Sequence, residues 1–396
     1  MEIPQAVEKI IDTLEAGGFE AYAVGGCVRD TLLGREPEDW DITTSARPEQ
    51  VKKLFRRTVD TGIQHGTVTV LENHRGYEVT TYRIDGEYED GRHPKNVEFT
   101  ASLTEDLKRR DFTINAMAYS KKTGIVDEFG GMEDLKRGVI RCVGKAQERF
   151  TEDALRILRA IRFSAQLGFE IEEQTLEAVR QIAPNLVHVS KERIQVELTK
   201  LLKSPHPERM SLVFAAGIAP FVSAHFADAG DPGREHAANW LSAEFAPEKY
   251  VRWAAFLRDL DEKEGERILK ELKADNDTIS RVRLLAAYWK CPLEADKYQL
   301  RCAMSRMSGE MFDCLLGFRL AAGTDSRKKW EELSAMTEEI RRDGDCISLK
   351  TLAVTGNDLI AAGMKPGREI GLRLGEMFEE VLRHPEHNTK EYLLRF

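Results

Sequence analysis

No stretch of this 396-residue chain approaches the roughly 18 consecutive apolar residues that a helix needs to cross a bilayer. The start, Met1-Glu2-Ile3-Pro4, has neither the basic residues nor the apolar run of a secretory signal. The six cysteines are scattered (Cys27, Cys142, Cys291, Cys302, Cys314, Cys346) and none stands in CxxC spacing. That excludes a zinc ribbon or a disulfide framework and predicts reduced thiols in a cytoplasmic protein with no membrane attachment. The histidines show no metal-ligand spacing, and neither low-complexity segments nor repeats are present. A net charge of −9 argues against coating by nucleic acid, yet allows arginines concentrated on one surface.

What is present divides the chain by character. A hydrophobic content of 42% over this length supports two to four cores. Residues 1 to about 140 mix helix and strand signals. An amphipathic helix is predicted from Pro4 to Ala16, stopped by Gly17-Gly18. Strands are predicted at Ala21–Val24, Trp40–Thr43, Gly66–Leu71 and Tyr77–Ile84, with helices at Cys27–Leu33 and Ser45–Phe55, the latter capped by Ser45. Asp85 to Pro94 is a polar, glycine-bearing loop. Beyond about Thr151, strand signals nearly vanish and helical periodicity runs almost to the end, interrupted most clearly at Ala227–Glu235. The expected fold is therefore α+β, a mixed sheet with flanking helices, followed by an all-α remainder.

Chemistry concentrates in Val24-Gly25-Gly26-Cys27-Val28-Arg29-Asp30 and the following Asp39-Trp40-Asp41. On a strand, side chains alternate faces, so Asp39 and Asp41 share one side. Two acids held together call for a cation, and a divalent ion with oxygen ligands is the economical partner. Glu78, on a neighbouring strand, offers a third carboxylate. This set points to two-metal phosphoryl or nucleotidyl transfer, with Asp39 and Asp41 as ligands. The plain alternative is a turn cap or a surface ion pair. Gly25-Gly26 between strand and helix can admit phosphate oxygens, with Gly26 at the helix start and Arg29 one turn in. The alternatives there are an ordinary tight turn and an arginine paired with Asp30.

These residues, in this order, resemble the nucleotidyltransferase superfamily of poly(A) polymerases and tRNA CCA-adding enzymes. Arg109-Arg110-Asp111-Phe112-Thr113-Ile114-Asn115-Ala116-Met117 is similar to the family's motif that meets sugar and phosphates, and assigns Arg110 to that role. Asp127-Glu128-Phe129-Gly130-Gly131 with Asp134-Leu135 resembles the next motif, near the hinge of the head. Glu152-Asp153-Ala154-Leu155-Arg156 and Ser190-Lys191-Glu192-Arg193-Ile194 resemble the two that follow. The match is to the bacterial class II form and thins beyond Glu197, where Thr355-Gly356-Asn357-Asp358-Leu359 and Lys365–Gly371 remain. The resemblance implies a catalytic palm or head at 1–140, a helical neck at 141–200, a body at 201–290 and a tail at 291–396. It implies Mg²⁺, ATP and CTP as substrates, and a tRNA held by acceptor stem and elbow, in a monomer or homodimer.

The helix expected around Asp153 carries its own logic. Steps of three residues turn back by about 60°, so Asp153, Arg156 and Arg159 form one polar stripe opposite Leu155, Ile157, Leu158 and Ile161, with Arg162 toward its edge. An acceptor beside a donor complements the edges of cytosine and adenine and mismatches uracil and guanine. Asp153 and Arg156 would then select the base without a template, supported by Arg159 and Arg162. The alternative is an i,i+3 surface ion pair worth about 0.2–0.5 kcal/mol. The expected activity is template-independent addition of CCA to tRNA 3′ ends with release of pyrophosphate. The rivals are a poly(A) polymerase, a partial enzyme adding only CC or only A, and a catalytically silent RNA-binding protein. The Asp85–Pro94 loop is the segment the family associates with adding the final A.

Overall fold

The computed structural model describes residues 1–85, 97–230 and 244–396. The chain divides into two compact units: Met1–Trp240 with Arg267–Ala274, and Leu241–Glu266 with Asp275–Phe396. The first opens with helix α1 (Gln5–Ala16), whose Val7, Ile10, Ile11 and Leu14 are buried at helical spacing. Gly18, at φ +85°, ends it in a conformation that glycine adopts without strain.

In chain order, β1 (Ala21–Val24), α2 (Gly26–Leu32), β2 (Ile42–Thr44), α3 (Pro48–Leu54), β3 (Thr58–Gly62), β4 (Thr67–Glu72) and β5 (Arg75–Thr81) follow. After them come β6 (Arg83–Asp85), β7 (Val97–Phe99), α4 (Leu103–Lys108), β8 (Ala118–Ser120) and β9 (Gly124–Val126). Seven strands form one sheet in the order β3-β4-β5-β2-β1-β8-β9. The β2–β5 pair is parallel and the others are antiparallel, so the sheet is mixed as expected. Val68, Val70, Tyr77 and Val79 point to the buried face of β4 and β5, while Thr69, Leu71 and Glu78 point to the other.

Several boundaries differ from expectation for identifiable reasons. The predicted Tyr77–Ile84 strand breaks at Tyr82, whose amide bonds to Thr44 while Asp106 takes the amide of Arg83. The chain then leaves the large sheet to pair β6 with β7. Helix α3 starts at Pro48, not Ser45. Gln50 Oε1 accepts the Arg47 amide at 2.8 Å, and Ser45 Oγ instead accepts from the amide of Glu20. Strand β3 carried no clear periodic signal, because its residues are largely exposed at the sheet edge.

Helices α5 (Gly131–Arg137), α6 (Ala146–Glu152), α7 (Leu155–Leu167), α8 (Glu173–Ile182) and α9 (Lys191–Leu202) complete most of the first unit. A two-residue parallel pairing of Val139–Ile140 with Glu170–Ile171 is the extended structure here. The second unit is helical throughout its described residues. One core cluster there gathers Leu300, Phe312, Leu316, Leu333 and Ile340, and another Leu359, Met377, Val381 and Leu393. Trp253 and Trp289 are buried, as helical periodicity predicts; Trp240 lies outside the described residues. So do residues 86–96, which make up most of the Asp85–Pro94 loop, and residues 231–243. No described helix is long and apolar enough to cross a membrane.

Candidate active site

Asp39 and Asp41 lie just before β2, not within it, since its ladder opens at Ile42. Alternation nevertheless holds: Trp40 is buried and both aspartates are exposed, with the Asp41 carbonyl accepting the Val24 amide at 3.0 Å. Ile42 pairs with Val79 in the parallel register, which sets Asp41 level with Glu78 on the next strand. The electrostatics agree. The Asp41 carboxyl is raised above its ordinary range by the crowding protein and by Asp39, against the opposing pull of Arg110. Glu78 is raised by the same crowding and by Asp41 and Asp39. Three hard oxygen donors that disfavour one another's charge suit a divalent cation. Among the described residues no group of three His, Cys, Asp or Glu side chains is placed close enough to hold a metal ion by itself.

Beside the acids lies a cationic corner. Gly25 adopts φ +82°, and a Cβ there would come within 3.0 Å of Arg110 Nη1. The Gly25 amide donates to the Met117 carbonyl at 3.1 Å and is already satisfied within the protein. Arg110 reaches the buried Asp106 at 3.4 Å, and its Nε is buried with no hydrogen-bond partner. Such an orphaned donor costs about 1–3 kcal/mol and is the natural grip for an anion such as a triphosphate oxygen. Asp106 anchors this corner. Burial pushes its carboxyl up, but Arg109 and Arg110 outweigh that and bring it below the usual range.

Arg29, expected either to contact the phosphates or to pair with Asp30, is held within the protein. It is only 8% exposed, donates to both oxygens of Asp30 at 2.9 and 2.8 Å, and reaches Asn115 Oδ1 at 2.6 Å. The pairing with Asp30 is thus real, but internal.

The stripe expected on one helix is corrected by the structure. Helix α6 ends at Glu152 and α7 begins at Leu155, with Asp153 extended between them (φ −143°, ψ 102°). The Asp153 carboxylate accepts from the Leu155 amide at 3.0 Å and caps the new helix. Its other oxygen takes Arg193 of α9 at 2.7 Å. Arg156 is 9% exposed and donates to Glu152 at 2.7 Å and to the carbonyls of Arg149 and Arg109, each at 3.1 Å. Between Asp153 and Arg156 themselves the bond runs through the backbone, the Arg156 amide donating to the Asp153 carbonyl at 3.0 Å. The break arises because a capping aspartate competes with the helix for its own backbone.

Arg159 binds Asp111 at 2.6 Å. Burial raises the Asp111 carboxyl, but Arg159, a hydrogen bond from Asn115 and nearby Arg156 hold it well below the carboxylate range. Arg162 pairs with Glu197 at 2.5 Å and Gln166 at 2.6 Å, buried at the apolar edge where its position predicts. Asp106, Asp111, Asn115 and Arg193, which hold these groups, were not assigned roles from sequence. The signal for the first three was a cluster of buried-type polar residues in and just before the Arg109–Met117 motif. The Asp127 motif is a helix start, its carboxylate accepting the amides of Gly131 and Met132.

Comparison with known proteins gives a consistent result. Residues 21–141 match the poly A polymerase head domain, residues 168–222 an RNA and SrmB-binding site of polymerase A, and residues 247–396 a tRNA nucleotidyltransferase domain 2. The CCA-adding enzyme of Lactiplantibacillus plantarum is 38% identical over 99% of this chain and 95% of its own length. That of Geobacillus kaustophilus is 40% identical over 96% of this chain and 93% of its own. The Bacillus stearothermophilus CCA-adding enzyme, solved in complex with CTP, superposes with a TM-score of 0.87 at 33% identity, covering 100% of this chain and 97% of that one. The chain therefore belongs to the CCA-adding enzymes, within the nucleotidyltransferases that share the poly(A) polymerase head.

Proposed function

We propose that this protein adds CCA to the 3′ end of tRNA from CTP and ATP, without a template and with release of pyrophosphate. One observation carries the reading: Asp39, Asp41 and Glu78 share the open face of the sheet, next to Arg110 with its unpartnered Nε. Asp39 and Asp41 hold Mg²⁺, and Glu78 serves as the third acid. Held by these carboxylates, a divalent ion would supply charge neutralisation for the α-phosphate and the departing pyrophosphate. Arg110 and the Gly26 backbone take the triphosphate, and Arg29 braces them through Asn115. Asp153 accepts from the amino group of cytosine or adenine while Arg156 donates to the adjacent ring nitrogen. Each base must first exchange for the present partners, Arg193 and Glu152, so recognition is a swap of hydrogen bonds. A uracil or guanine repays neither exchange and leaves buried polar groups unpaired, at about 1–3 kcal/mol each.

The acceptor end approaches from the other side. Thr69 lies opposite Glu78, and Val59 opposite Thr69, so a line of side chains runs from the acids to the edge strand. Val59 (46% exposed) and Leu71 (38% exposed), with the mutually bonded hydroxyls of Thr61 and Thr69, form an open shelf suited to ribose and base. The divisions 1–140, 141–200, 201–290 and 291–396 serve as head, neck, body and tail, the last two supporting the acceptor stem and elbow, in the cytoplasm.

The test is extension of a tRNA lacking its end, with each nucleotide alone and all together. Addition that stops after CCA is expected. Long A tracts would point to a poly(A) polymerase, and products ending at CC or extended only from CC would mark a partial enzyme.

A further inference from the structure

Three guanidinium groups surround one aromatic ring in the first unit. The Cζ atoms of Arg162, Arg29 and Arg159 lie 3.8, 5.0 and 5.4 Å from the centroid of Phe163. The ring is buried and meets Phe112 edge-on at 5.8 Å. Arg29 comes from α2, beside the triphosphate corner, whereas Arg159 and Arg162 come from α7, which carries Arg156 and begins two residues after Asp153. A second route joins the same two elements: Arg29 donates to Asn115 at 2.6 Å, Asn115 to Asp111 at 3.1 Å, and Arg159 to Asp111 at 2.8 Å. With Phe163 the circuit closes, running from Arg29 through Asn115, Asp111 and Arg159 back to Arg29.

Three like charges this close repel one another, and Asp30, Asp111 and Glu197 each neutralise one of them. The negative face of the ring supplies what no further carboxylate could without excess charge, attraction to all three cations from one rigid, apolar body. We propose that Phe163 is a positioning residue that couples the triphosphate grip on α2 to base selection on α7. The proposal rests on the nucleotide-transfer reading above. When the correct base settles α7, the ring sets the Arg29 side of the phosphate site, so that a mismatched base is bound with a poorly formed grip.

Phe163→Leu keeps an apolar side chain and removes the π face. It should weaken CTP binding, read by calorimetry on the full chain, by about tenfold, the scale of one desolvated cation–π contact. It should also lower discrimination of CTP over UTP in tRNA extension by a similar factor, while Phe163→Tyr, which retains the ring, restores both. A core role alone predicts a lower melting temperature with unchanged discrimination and no special rescue by tyrosine; that result overturns the proposal, as does a leucine variant equal to wild type. If the leucine variant does not fold, Phe163→Met carries the comparison. Failure of both to fold, with tyrosine folded, assigns Phe163 to the core and also refutes the coupling. Wild-type protein that binds CTP but extends no tRNA defeats the functional reading instead, and leaves the calorimetric arm to decide the role of Phe163.

Discussion

Asp41 and Glu78, proposed as catalytic acids, contrast with an acid that serves the fold. Both carboxyls are raised by crowding and by neighbouring acids, so in the absence of a cation their charges oppose the fold. Asp41→Ala should therefore abolish nucleotide incorporation, by about 10³-fold or more, the scale of lost metal alignment. In metal-free buffer its melting temperature should be no lower than wild type; a marked fall would show that Asp41 is a structural acid. Asp111 is the opposite case. Against the upward push of burial, its carboxyl is depressed by nearby arginines and by a hydrogen bond from Asn115. Because its folded value lies below the unfolded one, its contribution to stability is present above roughly pH 4, the unfolded carboxylate value, and fades as pH falls toward the folded one. Asp111→Ala should cost about 1–3 kcal/mol in urea unfolding at pH 7, since the half-buried Arg159 and the buried Asn115 would lose their shared acceptor. The deficit should shrink on acidification, and a pH-independent deficit would refute the electrostatic account.

At the scale of elements, the turn from β1 into α2 and the face beyond β5 are the parts to probe. Gly25 needs its positive φ and has no room for a methyl beside Arg110. Gly25→Ala should cost about 1–2 kcal/mol in stability and raise the KM for both CTP and ATP, because Arg110 must move. An unchanged nucleotide KM would detach this turn from the triphosphate site. On the open shelf, Val59→Asp or Leu71→Asp places a negative charge where the acceptor strand is proposed to lie. Each should raise the KM for tRNA about tenfold with the KM for CTP within twofold, an effect of about 1.4 kcal/mol. Equal effects on both substrates would mean that the shelf does not carry the RNA. The α6–α7 break belongs to this scale too. An EDxxR run reads as continuous helix by periodicity, and only the hydrogen bonds of Asp153 to Leu155 and Arg193 reveal that the chain bends there.

Across the whole molecule the thiols report on packing. All six cysteines are unpaired, and only Cys291 is exposed. Burial pushes the Cys27 thiol up to about 11, and Cys142 is raised further for the same reason. Native protein at pH 8 should thus be alkylated first at Cys291, with Cys27 and Cys142 protected until unfolding, as read by mass spectrometry of tryptic peptides. Early modification of Cys27 would mean that the β1–α2 turn opens readily. Reducing agent should leave the melting temperature unchanged.

The local pattern of the chain determined that a mixed sheet would precede a long helical remainder, and it singled out Asp39, Asp41 and Glu78 as the acids on which the proposed chemistry rests. Alternation and periodicity depend on near neighbours, and those are written in the chain itself. Resemblance of ordered motifs extended this to the family. What each arginine holds was decided only by tertiary structure. Arg29 is locked against Asn115, 86 positions along the chain, Arg193 meets Asp153 across 40, and Arg162 meets Glu197 across 35. Such pairings are chosen by burial. A cation removed from water must find an acid within reach, and which acid is within reach depends on how helices and strands pack.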